Sequence, residues 1–149
     1  MWTSGSTLAN LPIVNKNHSE FRYQRGQLYC ERVALHEIAA AVGTPCYVYS
    51  SCEIARRYRV FNSQFSSIDH RVCFAVKANS NLSLLKLLKD QGSGFDVVSA
   101  GELYRVQQIG ADPKKILFSG VGKTREELDL AMGLPVGCIN VESLEELDL

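Results

Sequence analysis

The chain has 149 residues, of which 46% are hydrophobic and 21% are charged, and these values predict one ordinary globular domain. Sixteen basic and sixteen acidic residues give a formal net charge of zero, which argues against a nucleic-acid partner or a membrane surface. No apolar run approaches the ~20 residues that a membrane-spanning helix needs.

Residues 1–20 are polar and mixed in charge. They lack the basic start followed by a sustained apolar stretch that marks a signal peptide. We therefore predict a disordered or extended N-terminal tail over these residues.

The cysteine content indicates reduced thiols. The five cysteines are odd in number and contain no Cys-x-x-Cys pair; they are Cys30, Cys46, Cys52, Cys73 and Cys138. This pattern fits a cytoplasmic protein better than a disulfide framework or a zinc site. The three histidines are scattered through the chain, so we assign no metal site.

Residues 21–70 form a lead-in segment with short, irregularly spaced elements. The predicted elements are a hairpin over residues 21–33, a helix over 34–42, a strand over 46–49 and a helix over about 52–65. Arg25 and Gly26 make the hairpin turn, and Gly43 ends the first helix. Ser50 or Ser51 caps the second helix. The strand could belong to the sheet that follows or pair with a separate β domain.

From residue 71 onward, strand and helix patterns alternate with a repeat of roughly 21 to 23 residues. The predicted strands cover residues 72–76, 95–98, 116–118 and 137–141, and the predicted helices cover 82–90, 101–109, 125–132 and a stretch from 143. A glycine follows each of the first three helices, as is usual for a left-handed C-terminal cap, at Gly92, Gly110 and Gly133.

Repeated strand–helix units predict an α/β fold with a parallel sheet covered by helices. The open doubly wound sheet and the (β/α)8 barrel both use such units, and the short, even spacing favours the barrel. A barrel needs eight units and about 250 residues, whereas this chain supplies four. We therefore interpret residues 71–149 as the first half of a barrel and the chain as the N-terminal part of a longer protein.

Lys77 follows an apolar strand and is the first candidate for chemistry. A lysine buried among apolar residues pays several kcal/mol or has a lowered pKa, and the amine is then a nucleophile suited to Schiff-base chemistry. Alternation places Lys77 on one face with the small residues Cys73 and Ala75, which leaves room for a flat ligand. A lysine that simply reaches solvent is the alternative. Because barrel active sites lie at the C-terminal ends of strands, we favour a catalytic Lys77.

Asp96 is a carboxylate inside the next apolar strand. A buried carboxylate needs a partner, and Lys77 is a candidate; capping of a loop or exposure to solvent is the alternative. Asp96 lies early in its predicted strand and Lys77 late in its own, so the sequence leaves their alignment open.

The segment from Ser119 to Thr124 imitates a phosphate-binding P-loop because it ends in Gly-Lys-Thr between a strand and a helix. The P-loop motif also requires a glycine five positions before its second glycine, and that position is Leu117. We predict instead that Thr124 caps the following helix, with Glu127 completing a capping box.

Several motifs in order resemble the diaminopimelate decarboxylase family, which belongs to the alanine-racemase-like group of barrel enzymes that depend on pyridoxal phosphate. They are FAVKANSNL over residues 74–82, GSGFDVVSAGEL over 92–103, FSGVGKT over 118–124 and INVES over 139–143. The upstream segments FRYQRGQLYCERVAL and GTPCYVYS are similar to the same family's N-terminal region. The third motif resembles diaminopimelate decarboxylases more than ornithine or arginine decarboxylases.

The resemblance implies a fold, a cofactor and a reaction. The fold is the N-terminal part, about four βα units, of an alanine-racemase-type (β/α)8 barrel. Lys77 would hold pyridoxal 5′-phosphate, Asp96 would lie close to the cofactor and to Lys77, and no metal would take part. The reaction would convert meso-2,6-diaminopimelate to L-lysine and CO2 in cytoplasmic lysine biosynthesis. The family's other cofactor and substrate residues lie beyond residue 149, and its members are homodimers, so we expect the chain alone to be inactive.

Three alternatives stay open at this point. The protein could be a related decarboxylase of another basic amino acid, of the ornithine or arginine type. It could be a non-catalytic half barrel that binds pyridoxal phosphate and is stable only with a partner chain. A P-loop protein whose nucleotide affinity depends on Lys123 is the third alternative.

Overall fold

The computed structural model describes residues 20–149, so the predicted N-terminal tail, apart from Glu20, lies outside the described residues. The described residues divide into two compact units, the first ending at Glu53 and the second covering Ile54–Leu149. The division into segments 1–20, 21–70 and 71–149 stays a prediction. Within residues 20–149, no helix is both long and apolar enough to cross a bilayer. All five cysteines carry free thiols.

The first unit contains a small antiparallel sheet and a helix. Its elements are β1 (Phe21–Gln24), β2 (Gln27–Cys30), β3 (Val33–Ala34) and α1 (Leu35–Val42), with strand order β1-β2-β3. Arg25 and Gly26 have φ angles of 49° and 78°, as a two-residue type I′ turn requires. The predicted hairpin turn is therefore confirmed.

The strand predicted over residues 46–49 is wrong. These residues are irregular and pair with neither of the sheets that the described residues form. Tyr47 is 92% exposed, so its ring packs on almost nothing. Aromatic and β-branched residues favour a strand only where a neighbouring strand and a packed face receive them.

The helix α2 (Ser51–Ser63) begins at a network of side-chain caps. Ser50 is its N-cap, because the Ser50 Oγ accepts a hydrogen bond from the Glu53 N–H at 3.0 Å. The Glu31 Oε1 accepts from the Cys52 N–H at 2.9 Å and from the hydroxyls of Ser50 and Ser51 at 2.8 and 3.2 Å. These hydrogen bonds, the one from the Cys52 N–H first, lower the pKa of Glu31 to about 2.

The lowered pKa of Glu31 makes the start of α2 sensitive to acid. Since the carboxylate's pKa lies below its ordinary value of 4.5, its stabilisation is complete above pH 4.5 and is lost as the pH falls towards 2. We expect Glu31→Gln to lower the free energy of unfolding at pH 7 by about 1 kcal/mol and to remove this acid sensitivity. Urea unfolding at pH 7 and pH 3 measures both, with the exposed Glu37→Gln as the control. Equal pH dependence in the parent and Glu31→Gln would contradict the prediction.

The second unit is built on a four-stranded parallel sheet. Its strands are β4 (Cys73–Ala75), β5 (Gly94–Val97), β6 (Ile116–Phe118) and β7 (Cys138–Ile139), and its further helices are α3 (Leu82–Asp90), α4 (Ala100–Gln108), α5 (Arg125–Gly133) and α6 (Leu144–Leu147). The strand order β4-β5-β6-β7 follows the chain without reversal. A doubly wound sheet reverses its order at a switch point, so this topology agrees with the barrel.

Most predicted boundaries in this unit hold to within one or two residues, and the exceptions have local causes. The helix over residues 82–90 and the strand over 116–118 are confirmed. The predicted cap at Gly133 is wrong: Gly133 belongs to α5, and the chain leaves the helix at Leu134. Gly92 and Gly110 do adopt the left-handed conformation, with φ angles of 97° and 65°.

One face of the parallel sheet forms the core. Phe95, Val97, Ile116 and Phe118 are at most 1% exposed and pack with Leu85, Leu88, Leu103, Val106 and Ala131 of the helices. The intervening strand residues are in register across the sheet, in the order Ala75, Asp96, Leu117 and Cys138. Because side chains alternate along a strand, this row belongs to the opposite face, here called the open face, where burial is only partial.

Candidate functional site

The candidate site lies where the four parallel strands end. Four connections leave this end of the sheet, here called the carboxyl edge, and they are residues 76–81, 98–99, 119–124 and 140–143. In a parallel sheet these connections meet at one edge, while each strand's alternation decides which side chains reach the open face. Lys77 belongs to the first connection, and Asp96 belongs to the open face just below the second.

Lys77 lies in a single 3-10 turn, Val76–Ala78, that follows β4. The strand predicted over residues 72–76 ends one residue early, at Ala75, and the idea of a lysine buried among apolar residues is wrong because Lys77 is exposed. The turn breaks the alternation that would have placed Lys77 on one face with Cys73. Val76, which is fully buried, anchors the turn from below and leaves the Lys77 amine directed away from the core.

Two asparagines hold the Lys77 turn in place. The Asn79 N–H donates to the Val76 carbonyl at 3.1 Å, and the Asn79 Oδ1 accepts from the Asn81 N–H at 3.0 Å. The Asn81 Oδ1 in turn caps α3 by accepting from the Ser83 and Leu84 N–H groups at 2.9 and 3.3 Å. These hydrogen bonds join the loop that carries Lys77 to the start of α3, so the backbone from which the Lys77 side chain extends is fixed.

Asp96 of β5 pairs in register with Ala75 of β4. Ala75 precedes Lys77 by two residues. Asp96 therefore lies one residue before the end of β5, and Lys77 follows the end of the neighbouring strand β4, so both residues lie near the carboxyl edge. The Asp96 Oδ1 is buried and has no hydrogen-bond partner among the described residues. A buried carboxylate oxygen without a partner costs free energy. A hydrogen-bond donor that approached this atom would therefore be stabilised.

The open face continues below Asp96. Burial raises the pKa of Cys73, the Arg71 guanidinium opposes the rise, and the Asp96 carboxylate adds to it. This coupling agrees with Cys73 and Asp96 sharing a face. An added Cβ at Gly94 would lie 2.6 Å from the Cys73 Sγ and 2.5 Å from the Lys115 carbonyl oxygen, so only glycine fits there. The backbone and the Cys73 thiol therefore pack closely at the start of β5.

The segment from Ser119 to Thr124 is not built to bind phosphate. Lys123 is 4% exposed, and its ammonium already donates to the Gly120 carbonyl, the Asn140 carbonyl and the Glu146 carboxylate. A P-loop lysine must be free to reach a phosphate, so the nucleotide hypothesis loses its main residue. The predicted capping box between Thr124 and Glu127 is confirmed.

Sequence reasoning missed several polar side chains that organise this edge. The Glu102 Oε2 accepts from the Val98 N–H at 2.9 Å, and the Glu127 Oε1 accepts from the Ala100 N–H at 2.9 Å. The Asn140 Nδ2 donates to the Ser119 Oγ at 2.9 Å. Glutamates in the first turn of a helix signal capping, but the sequence does not reveal that Glu127 reaches across to the preceding strand–helix connection.

Comparison with known proteins identifies the family. Residues 51–149 match the family described as the pyridoxal-binding domain of pyridoxal-dependent decarboxylases. The chain belongs to this family. The parallel sheet of βα units and the solved structures of relatives confirm the predicted fold class, the N-terminal part of an alanine-racemase-like barrel.

The relatives of this chain are much longer than the chain itself. Diaminopimelate decarboxylase of Pseudomonas aeruginosa is 52% identical over 128 residues, which cover 86% of the chain and 31% of the relative. The crystal structure of AQ1208 from Aquifex aeolicus superposes with a TM-score of 0.82 at 45% identity, covering 86% of this chain and 32% of that one. The crystal structure of diaminopimelate decarboxylase from M. jannaschii in complex with L-lysine superposes with a TM-score of 0.79 at 34% identity. The match covers 86% of this chain and 31% of that one. The chain thus spans about a third of these proteins.

The residues at the carboxyl edge fit a pyridoxal group. Lys77 carries an exposed primary amine, and an amine is the kind of group that can condense with such a cofactor's aldehyde. The unpartnered Oδ1 of Asp96 is an acceptor for a cationic donor beside it. Gly120 has a φ angle of 94°, and a Cβ added to it would approach the Val98 Cβ to 3.1 Å. A side chain at this position would therefore crowd Val98.

Proposed function

We propose that the chain is the cofactor-binding N-terminal part of a decarboxylase that converts meso-2,6-diaminopimelate to L-lysine and CO2. One observation carries the proposal: in a chain of the pyridoxal-dependent decarboxylase family, the exposed Lys77 follows the strand that pairs with the strand of the unpartnered Asp96 Oδ1, and both residues lie near the carboxyl edge. The diaminopimelate substrate is supported by the names of relatives at 52% and 34% identity, the latter solved with L-lysine.

Each residue would have a definite task. Lys77 would hold pyridoxal 5′-phosphate through Nζ, and the Asn79–Asn81 loop would keep that atom in place. The Asp96 Oδ1 would accept a hydrogen bond from a cationic group beside it, and the negative charge of the carboxylate would stabilise that cation. The chemistry that the bound cofactor would supply is an electron sink for the substrate α-carbon when its carboxylate departs as CO2. One proton then takes the place of the carboxylate on that carbon.

The assembly and location of the whole protein belong to the same proposal. A homodimer and a cytoplasmic location stay predictions, supported by the family resemblance. Gel filtration and localisation of the protein in its native cell would test them separately from the chemistry.

A chimera tests the proposed function. The 128 residues that match are placed in the Pseudomonas aeruginosa diaminopimelate decarboxylase, and the same residues are joined to the matching remainder of an ornithine decarboxylase. We expect the first chimera to release CO2 from meso-2,6-diaminopimelate and the second to fold poorly, because a barrel closes only when its strands and core side chains are complementary. The 149-residue chain alone should show no turnover.

Two outcomes would contradict the proposal. Because the donor's remainder supplies the substrate residues, the comparison measures which remainder fits this chain; a second chimera that turns over ornithine at rates near those of its parent, while the first fails to fold, would favour another basic amino acid as substrate. A first chimera that folds as stably as its parent but neither loads pyridoxal phosphate nor releases CO2 would favour a non-catalytic half barrel. Thermal unfolding and the absorbance of the loaded cofactor separate these cases from simple misfolding.

A further inference from the structure

Lys123 is a charged side chain whose burial calls for an explanation. Its side chain is 1% exposed, and its Nζ donates to the Gly120 carbonyl at 2.7 Å, to the Asn140 carbonyl at 2.6 Å and to the Glu146 Oε1. An ammonium has three hydrogens, so this one is fully used. Gly120 and Gly122, with φ angles of 94° and 70°, let the loop turn so that the lysine points inward.

Glu146 completes the arrangement from the other side. The hydrogen bond from Lys123 is the main cause of a lowered pKa at Glu146, so its carboxylate is ionised at neutral pH. The Glu146 Oε2 accepts from the Glu142 N–H at 3.2 Å, and the Glu146 N–H donates to the Ser143 Oγ at 3.1 Å. The loop clasp, defined here as Lys123 and Glu146 with these hydrogen bonds, therefore joins the connection after β6 to the connection after β7.

The loop clasp fixes atoms on the open face. Ser119 and Asn140 follow Leu117 and Cys138 by two positions, so alternation places them on the same face, one row nearer the carboxyl edge. The Asn140 carbonyl is held by Lys123, and the Asn140 amide donates to the Ser119 Oγ at 2.9 Å. Since the Ser119 Oγ is the acceptor in that bond, its own hydrogen is left to donate.

We propose that Lys123 is a positioning residue for the cofactor site: with Glu146 it holds the connections after β6 and β7 so that Ser119 and Asn140 present hydrogen-bonding groups to the cofactor above Asp96. This inference rests on the proposed function, because it assigns the cofactor to the edge that carries Lys77. A buried ion pair contributes little to stability compared with well-packed apolar residues. Its use here is the fixed direction of its hydrogen bonds, which apolar side chains cannot replace.

The test compares variants of the first chimera. Lys123→Met leaves Glu146 as a buried charge without a partner, whereas Lys123→Met/Glu146→Leu removes both charges and should recover most of the stability that the single variant loses. The matched control is Lys86→Met, which removes the exposed pair between Lys86 and Asp90, whose side chains are 62% and 51% exposed. Hydrogen exchange by mass spectrometry reports on residues 119–124 and 140–143 without cofactor, and absorbance gives the pyridoxal phosphate concentration for half-loading.

We expect both Lys123 variants to exchange faster in the two connections and to need roughly 10-fold more pyridoxal phosphate for half-loading, with no change for Lys86→Met. Faster exchange with unchanged loading would overturn the proposal, as would a double variant that regains both parental stability and parental loading. Failure of the parent chimera to load pyridoxal phosphate on Lys77 would instead overturn the proposed function and, with it, the role given to Lys123.

Discussion

Replacing Lys77 by alanine should lower the decarboxylation rate of the first chimera by ~10³-fold, within the range that a single positioned acid–base group contributes. The fold should survive, because the Lys77 side chain is exposed and Val76, not Lys77, anchors the turn in the core. The loss would reflect the missing amine that holds the cofactor and exchanges it with substrate. The rate of CO2 release and the unfolding temperature of the same preparation measure the two effects.

Chemical labelling identifies the lysine independently of turnover. Borohydride reduction in the presence of pyridoxal phosphate, followed by peptide mapping, should label Lys77 ahead of the other lysines. Lys86→Ala, which removes an exposed helix lysine, should retain parental rate and labelling. Labelling spread over surface lysines in a folded, active chimera would show that the reactive amine is not selected by this site, and the role of Lys77 would have to be abandoned.

Replacing Asp96 should have opposite effects on activity and stability. Asp96→Asn keeps the shape of the side chain but removes the charge that would face a cationic group, so we expect kcat of the chimera to fall by about 10²-fold. Asp96→Val removes the buried Oδ1 that lacks a partner and adds a residue that favours strands. The ligand-free chain should then gain about 1 kcal/mol in free energy of unfolding.

The two measurements separate a functional carboxylate from a structural one. Urea unfolding of the ligand-free chain and steady-state kinetics of the chimera are compared with Asp90→Asn, an exposed carboxylate on α3 that should change neither quantity. If Asp96→Val destabilises the ligand-free chain, the carboxylate has a structural partner, and the argument from its unpartnered oxygen fails. If Asp96→Asn retains parental kcat, its charge has no part in the reaction.

Local patterns in the sequence were enough to predict much of the second unit. The helix over residues 82–90 begins at an Asn81 cap and the helix after Thr124 at a capping box, and both signals act within four residues of the chain. Buried apolar strands such as Ile116–Phe118 show equally clearly, because they are short apolar runs between polar loops. The chain-ordered parallel sheet follows from the even repeat of these units.

Non-local contacts account for the wrong predictions. Residues 46–49 have strand composition but are irregular, since a strand depends on a partner that local sequence does not contain. Lys77 lies in a 3-10 turn and is exposed, because β4 pairs with β5 only as far as Ala75 and the chain turns where pairing ends.

By itself, the sequence determined the α/β class, the order of the strand–helix units and the candidacy of Lys77 and Asp96, because periodicity, caps and apolar strands are properties of neighbouring residues. Only the tertiary structure decided that Asp96 pairs in register with Ala75 and has an oxygen that lacks a partner, and that Lys123 pairs with Glu146, 23 residues away. Strand register and the burial of charge depend on which segments meet in space, and the spacing of residues along the chain does not fix them.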